Sequence, residues 1–188
     1  MSSAVEAVLQ NYFDANPYDS EVVGIDVETT GFGDSARLVE VAAIGYKFDG
    51  LHLSQIKFES LINPGIPIPE AATKVHNITD EMVKDAPSES EVMEKLAEFL
   101  QNVNSLVAHN ADFDRTQIAN AFARSNKPFP FADRFKCSLQ LARRKQLPIA
   151  SNKLTDVANY LGYTNENAHR AYDDALCALY VWGRLVQS

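Results

Sequence analysis

Four carboxylates and one histidine stand out in this chain as residues that could do chemistry. Asp26 and Glu28 lie in the run VVGIDVE at 22–28. The run reads as a strand, and alternate strand residues point to opposite faces. Val23, Ile25 and Val27 then share one face, while Asp26 and Glu28 share the other. Two adjacent carboxylates on a buried strand repel each other, and burying an uncompensated charge costs several kcal/mol or more, in round numbers. A divalent cation removes that penalty, and oxygen ligands suit Mg²⁺ or Mn²⁺. An exposed edge strand with a solvated acidic face would explain the pair equally well.

Asp114, in AHNADFDRTQI, shares a helical face with Ile118, Ala121 and Phe122, so it sits at the rim of a core. A helix-start aspartate facing the macrodipole is the plainer explanation, and Asp112 fits it better than Asp114 does. Asp174 heads the stripe Ala178, Val181, Trp182 and Leu185. Its neighbour Asp173 falls about 100° away around the axis and reads as the solvated one of the two. His169 precedes Asp174 by five residues. Within one helix the two would be about 140° apart. The histidine is better placed in the loop entering the helix, reaching back over its N-terminus, although a surface or capping role is the common one for a lone histidine.

The elements that must position these groups follow from hydrophobic periodicity. Val5, Val8, Leu9 and Tyr12 predict a short N-terminal helix. Residues 22–28, 37–48 and 51–62 read as three strands in a meander, with Phe48-Asp49-Gly50 turning between the last two. Residues 63–87 contain Pro64, Pro67, Pro69 and Pro87 and read as loop. Ser88 and Glu91 form a capping box before the stripe Val92, Leu96, Phe99 and Leu100. Leu106–Ala108 is a short strand, a helix follows over 112–125, and 131–136 is a last strand before a helical remainder. The order βββαβαβαα predicts an α/β domain with a mixed central sheet.

Bulk properties restrict the setting. The chain has 188 residues, 46% hydrophobic and 22% charged, which fits one globular domain. Its net charge of −8 argues against a polyanionic partner, but residues 112–170 carry ten Lys/Arg against five Asp/Glu. A basic half could meet phosphates while the rest keeps the protein soluble. Cys137 and Cys177 match no zinc or CxxC spacing and read as reduced thiols of a cytoplasmic protein. The N-terminus lacks the pattern of a secretory signal, and the longest apolar run, Ala175–Trp182, is too short to span a bilayer, so no membrane association is expected.

Taken together, Asp26-Val-Glu28-Thr-Thr-Gly31, Ala108-His-Asn-Ala-Asp-Phe-Asp114 and His169-Arg-Ala-Tyr-Asp-Asp174-Ala resemble the three motifs of the DEDDh, or DnaQ-like, 3′–5′ exonucleases. The stretch INPGIPIPEAATKVHNITDEMV is similar to the segment between motifs in bacterial proofreading exonucleases, whether a separate epsilon subunit or a domain within a polymerase. The resemblance covers about 22–182. It implies an RNase H-like fold with a five-stranded mixed sheet flanked by helices. Residues 21–188 would form the exonuclease domain, and residues 1–20 a helical extension outside the match. It also implies two divalent cations held by Asp26, Glu28, Asp114 and Asp174, with His169 as general base.

Under that resemblance the expected substrate is a single-stranded or frayed 3′ end of DNA, cut to nucleoside 5′-monophosphates. Thr29, Thr30 and Gly31 would meet the terminal sugar, and His76, Asn110 and Phe113 would help line the pocket. Arg143, Arg144, Lys145, Lys153 and Arg170 could track the strand, although such runs are commonly solvated helix faces. A polymerase partner is not visible in the sequence. An RNA 3′-end-trimming enzyme keeps the same chemistry, and only contact with a 2′-hydroxyl would separate the two. A catalytically silent binding module should have lost one of the five groups, and a structural α/β protein with coincidental acids would not need metal.

Overall fold

The computed structural model describes residues 2–187. Its elements are α1 (Ser2–Ala15), β1 (Glu21–Thr29), β2 (Leu38–Phe48), β3 (Leu53–Leu61), α2 (Glu70–His76), α3 (Asp80–Val83), α4 (Glu89–Leu100), β4 (Ser105–Ala108), α5 (Ala111–Arg124), β5 (Phe135–Cys137), α6 (Ser138–Lys145), α7 (Leu154–Tyr160) and α8 (Ala171–Val186). One sheet runs in the order β3-β2-β1-β4-β5. The first three strands pair antiparallel, and β4 and β5 join parallel to β1. The mixed five-stranded sheet flanked by helices is therefore present.

The strand expected at 131–136 is a shorter one. Residues Ala132–Arg134 form a 3₁₀ turn, and only Phe135–Cys137 pairs with β4. Two helices, α2 and α3, also occupy the stretch read as loop. Each has seven residues or fewer, too short for hydrophobic periodicity to register among the prolines.

The alternation of β1 sorts two cores onto the two faces of the sheet. Val23, Ile25 and Val27 pack with α4 and α5, on a cluster that includes Leu96, Leu100, Ile118 and Phe122. Val22 joins Ile44 and Tyr46 on the opposite face, under α8 and α1. α4 begins with the expected capping box, Ser88 Oγ accepting from Glu91 N–H while the Glu91 carboxylate accepts from Ser88 N–H. The helix α1 forms as expected and lays Val5, Val8, Leu9 and Phe13 on α8, in the same cluster as Leu179, Trp182 and Leu185.

Glycines on either side let α8 approach its neighbours closely. A Cβ at Gly24 of β1 would lie 2.0 Å from the carbonyl oxygen of Ala175 in α8. A Cβ at Gly183 would lie 2.5 Å from Val8 Cγ1 of α1. Helix α8 is therefore pressed onto β1 on one side and overlaid by α1 on the other.

Candidate active site

Beyond Gly24 on the same face of β1 come Asp26 and Glu28. Directly across the β1–α8 contact, one turn before Ala178, Asp174 opens α8. One carboxylate oxygen from each of Asp26, Glu28 and Asp174 lies within 4.8 Å of the others. Asp114 enters from the opposite layer. It stands in the first turn of α5, is 2% exposed, and its Oδ1 accepts the backbone N–H of Val27 at 3.3 Å. That bond fixes Asp114 beside the strand that carries the other two acids. Asp112 lies outside this group and pairs with Arg115 at 2.8 Å on the surface.

The electrostatics are those of crowded, dehydrated acids. Burial, followed by the charges of Asp114, Asp174, Glu28 and Glu40, pushes the Asp26 carboxyl well above the usual range. Burial and the neighbouring Asp174 and Glu40 push Glu28 up to about 8. Burial raises Asp114 to about 8 against the pull of its backbone hydrogen bonds. Asp174 is raised by burial as well, opposed by the N–H groups of His169 and Asn165. Among the described residues, no lysine or arginine forms an ion pair with any of the four. Clustered, unpaired, all-oxygen donors on a partly open rim fit a hard divalent cation, which would supply the missing positive charge.

His169 sits where the sequence put it, in the loop entering α8, immediately before the N-cap residue Arg170. It is exposed and holds a left-handed backbone with φ 69°. That conformation turns its backbone N–H onto Asp174 Oδ2 at 3.0 Å. Asn165 Nδ2 donates to the other oxygen at 2.5 Å. His169 and Asp174 together edge a cleft of about 840 Å³ that also receives Arg143, Lys153, Ser151, Asn152 and Thr155.

A second pocket of about 290 Å³ opens beside Glu28. Its walls include Thr29, Thr30, Gly31, His76 and Phe113, five of the six residues expected to meet a terminal nucleotide. The sixth, Asn110, is elsewhere. It carries a left-handed φ of 71° at the start of α5 and lines the larger cleft. His76 is buried, its Nδ1 accepts from Ile78 N–H at 3.0 Å, and Nε2 has no completed hydrogen bond. Burial holds its pKa down, so the ring is a neutral wall of the pocket.

Phe32 was missed by sequence reasoning. It is 89% exposed at the pocket mouth and meets Phe113 edge-on, centroids 6.0 Å apart. An aromatic side chain directly after Thr-Thr-Gly was the available signal. Glu40 was missed too. It stands opposite Glu28 in the β1–β2 register, is 2% exposed, and is gripped by Arg170 at 2.5 Å. Arg170 is thereby removed from the cations expected to track a strand.

At least five of the ten cations of the basic segment, Arg170 included, are engaged by partners within the protein. Arg115, Arg124 and Lys127 pair with Asp112, Glu89 and Glu94, and Arg134 donates to the carbonyls of Leu100 and Val103. Arg143 and Lys153 remain on the large cleft. His109 shapes that cleft: its ring bridges Ser138 Oγ at 2.9 Å and the Asn152 carbonyl at 2.8 Å.

The exonuclease family model, RNase_T, matches residues 23–182. The chain belongs to this exonuclease family. Among its relatives is the PolC-type DNA polymerase III of Clostridium perfringens, 37% identical over 84% of this chain but only 11% of that protein. The chain thus spans about a tenth of the polymerase's length. The DNA polymerase III subunit epsilon of Aquifex aeolicus is 28% identical over 92% of this chain and 83% of its own. A solved structure of Exonuclease X in complex with 5′ overhanging duplex DNA aligns with a TM-score of 0.63 at 25% identity, over 87% of this chain and 89% of that one. The chain has the RNase H-like fold of its structural neighbours, and the cluster of Asp26, Glu28 and Asp174 fits the divalent-metal dependence of this exonuclease family. No helix among the described residues is long and apolar enough to cross a membrane.

Proposed function

We propose that this exonuclease removes nucleoside 5′-monophosphates one at a time from the 3′ end of DNA, as a cytoplasmic enzyme. The observation that carries this reading is the convergence of Asp26, Glu28 and Asp174 oxygens within 4.8 Å, with Asp114 behind them and His169 at the rim. In it, Asp26, Glu28, Asp114 and Asp174 hold two divalent cations, Mg²⁺ or Mn²⁺. When bound, these ions neutralise the phosphodiester, acidify a water and stabilise the leaving 3′ oxygen.

The chain's own groups do the rest. His169, whose ring stands at the surface beside the cleft, accepts the proton of the attacking water. The pocket formed by Thr29, Thr30, Gly31, His76 and Phe113 seats the terminal nucleotide, and Phe32 with Phe113 offers ring faces to its base. The open side of Gly31, where a Cβ would meet nothing within 4 Å, leaves bare backbone for the sugar. The strand behind the 3′ end runs along the large cleft, where Arg143 and Lys153 meet its phosphates.

DNA is favoured over RNA because the PolC-type and epsilon relatives are named as parts of DNA polymerase III, and the Exonuclease X complex holds DNA. The same relatives support a replicative polymerase as partner. The test is to incubate the protein with 5′-labelled and 3′-labelled single strands of DNA and RNA, with Mg²⁺, Mn²⁺ or EDTA. Metal-dependent release of the 3′ label as mononucleotide, faster from DNA, is expected. Internal cleavage, release from the 5′ end, or equal loss in EDTA refutes the reading.

A further inference from the structure

Glu40 lies on a strand whose sequence gives it no reason to be charged. Every residue of β2 from Leu38 to Tyr46 is buried, and Glu40 stands beside the acidic cluster, directly opposite Glu28. Both of its oxygens are engaged. Arg170 Nη2 donates to Oε1 at 2.5 Å, and Arg170 Nε spans Oε1 and Oε2 at 3.2 Å each. The backbone N–H of Ala171 donates to Oε2 at 3.0 Å. Arg170 is the N-cap residue of α8 and makes no side-chain cap of its own. Glu40 therefore satisfies one of the free N–H groups of the helix from 131 residues away.

The two gripped residues are bracketed by functional ones. His169 immediately precedes them, and Asp174 follows within the same turn, accepting the His169 N–H. Arg170 is four residues before Asp174, near enough in sequence to pair with it, yet it turns to Glu40 instead. We infer that Glu40 and Arg170 are a positioning pair: a bidentate ion pair, buried at its β2 end and partly exposed at its arginine, that sets the first turn of α8, and through it the imidazole of His169 and the carboxylate of Asp174, against Asp26 and Glu28. Neither residue touches the substrate. The planar guanidinium fork is required, since an ammonium cannot span both oxygens in the same way.

This inference rests on the proposed exonuclease reading, and the experiment separates the two. Arg170→Lys, Glu40→Gln and the Glu40→Gln/Arg170→Gln double variant are compared with the parent at a temperature where circular dichroism shows each fully folded. A fall in kcat of about tenfold or more with KM within about twofold is expected for each single change, and the double variant is expected to lose little more than either single one. Amide hydrogen exchange at His169 and Ala171 is expected to quicken in all three. The exchange measurement reads the pair even if the parent protein shows no nuclease activity, a result that would count against the proposed function alone. Unchanged kcat in folded Arg170→Lys, or unchanged exchange at both amides, overturns the pair as a positioning device. A lowered melting temperature with normal kcat would make it merely structural and overturns it equally.

Discussion

Asp174 accepts the backbone N–H of His169 on Oδ2 at 3.0 Å. The acid and the imidazole are thus tied through main chain, five residues apart, and the left-handed φ of 69° at His169 is what turns the N–H inward while the ring remains at the surface. The side chain of His169 is spare in this arrangement. Its backbone N–H holds Asp174, and its ring is left exposed at the edge of the cleft.

That division of labour predicts the outcome of replacing the ring. His169→Ala keeps the N–H bond to Asp174 and removes only the proton acceptor. Turnover should fall about 10²–10⁴-fold, the usual worth of a general base, while Mn²⁺ affinity measured by calorimetry stays within a few-fold of the parent. Normal turnover in His169→Ala would remove this residue from the chemistry.

The crowded acids give a pH dependence with a definite sign. Asp26, Glu28, Asp114 and Asp174 are all raised in the folded protein, Glu28 and Asp114 to about 8. The folded state then binds more protons than the unfolded state between the ordinary carboxylate range and about 8, so stability without metal falls as pH rises through that window. In EDTA the melting temperature should be higher near about pH 5.5 than near about pH 8.5. Saturating Mg²⁺ should flatten the profile, because it raises the melting point most where the acids are ionised. A metal-free profile that rises over the window would contradict the crowding. Asp26→Asn should abolish nuclease activity and raise the melting temperature in EDTA.

Phe32 should matter for binding and not for folding. It is 89% exposed and its ring contact is with Phe113, so Phe32→Ala is expected to leave the melting temperature nearly unchanged. Loss of a stacking face costs about 1–3 kcal/mol per base, which should appear as a raised KM for single-stranded DNA. Equal kinetics in the variant would show that the terminal base lies elsewhere.

The cations of the large cleft should be separable from the chemistry. Arg143→Ala with Lys153→Ala is expected to weaken oligonucleotide binding and to lower the salt slope by roughly 0.7 for each phosphate no longer neutralised. A dinucleotide substrate, which has no strand behind the scissile bond, should be cleaved at nearly the parental rate. If the dinucleotide suffers as much as the oligonucleotide, these residues act on the catalytic centre itself.

Much of this site was legible because its signals are local or fall on regular elements. The alternation in VVGIDVE separates Asp26 and Glu28 from Val23, Ile25 and Val27, as the two cores of the sheet bear out. The i, i+4 stripe of α5 points Asp114 rather than Asp112 inward. Glu40 was illegible for a physical reason: β2 is covered on both faces, so its sequence carries no alternation against which a buried charge stands out. Its partner is 130 residues away, and neither residue signals the other. Asn110 lines the larger cleft and not the pocket of Phe113, a separation that three residues of sequence distance do not reveal. Part of the basic half of the chain is likewise taken up by acids distant in sequence, Arg124 by Glu89, Lys127 by Glu94 and Arg170 by Glu40, which charge counting along a sequence cannot anticipate.

Where β1 meets α8, the two segments that carry Asp26 and Asp174 touch as bare backbone, Gly24 against Ala175. The separation at which the two acids face one another is therefore gauged by a missing carbon atom. A single methyl group at position 24 would wedge the layers apart and widen the gap between the acids without altering either carboxylate. The spacing of the two segments is kept by a residue that has nothing to contribute except its smallness, and a survey confined to reactive side chains would pass over it.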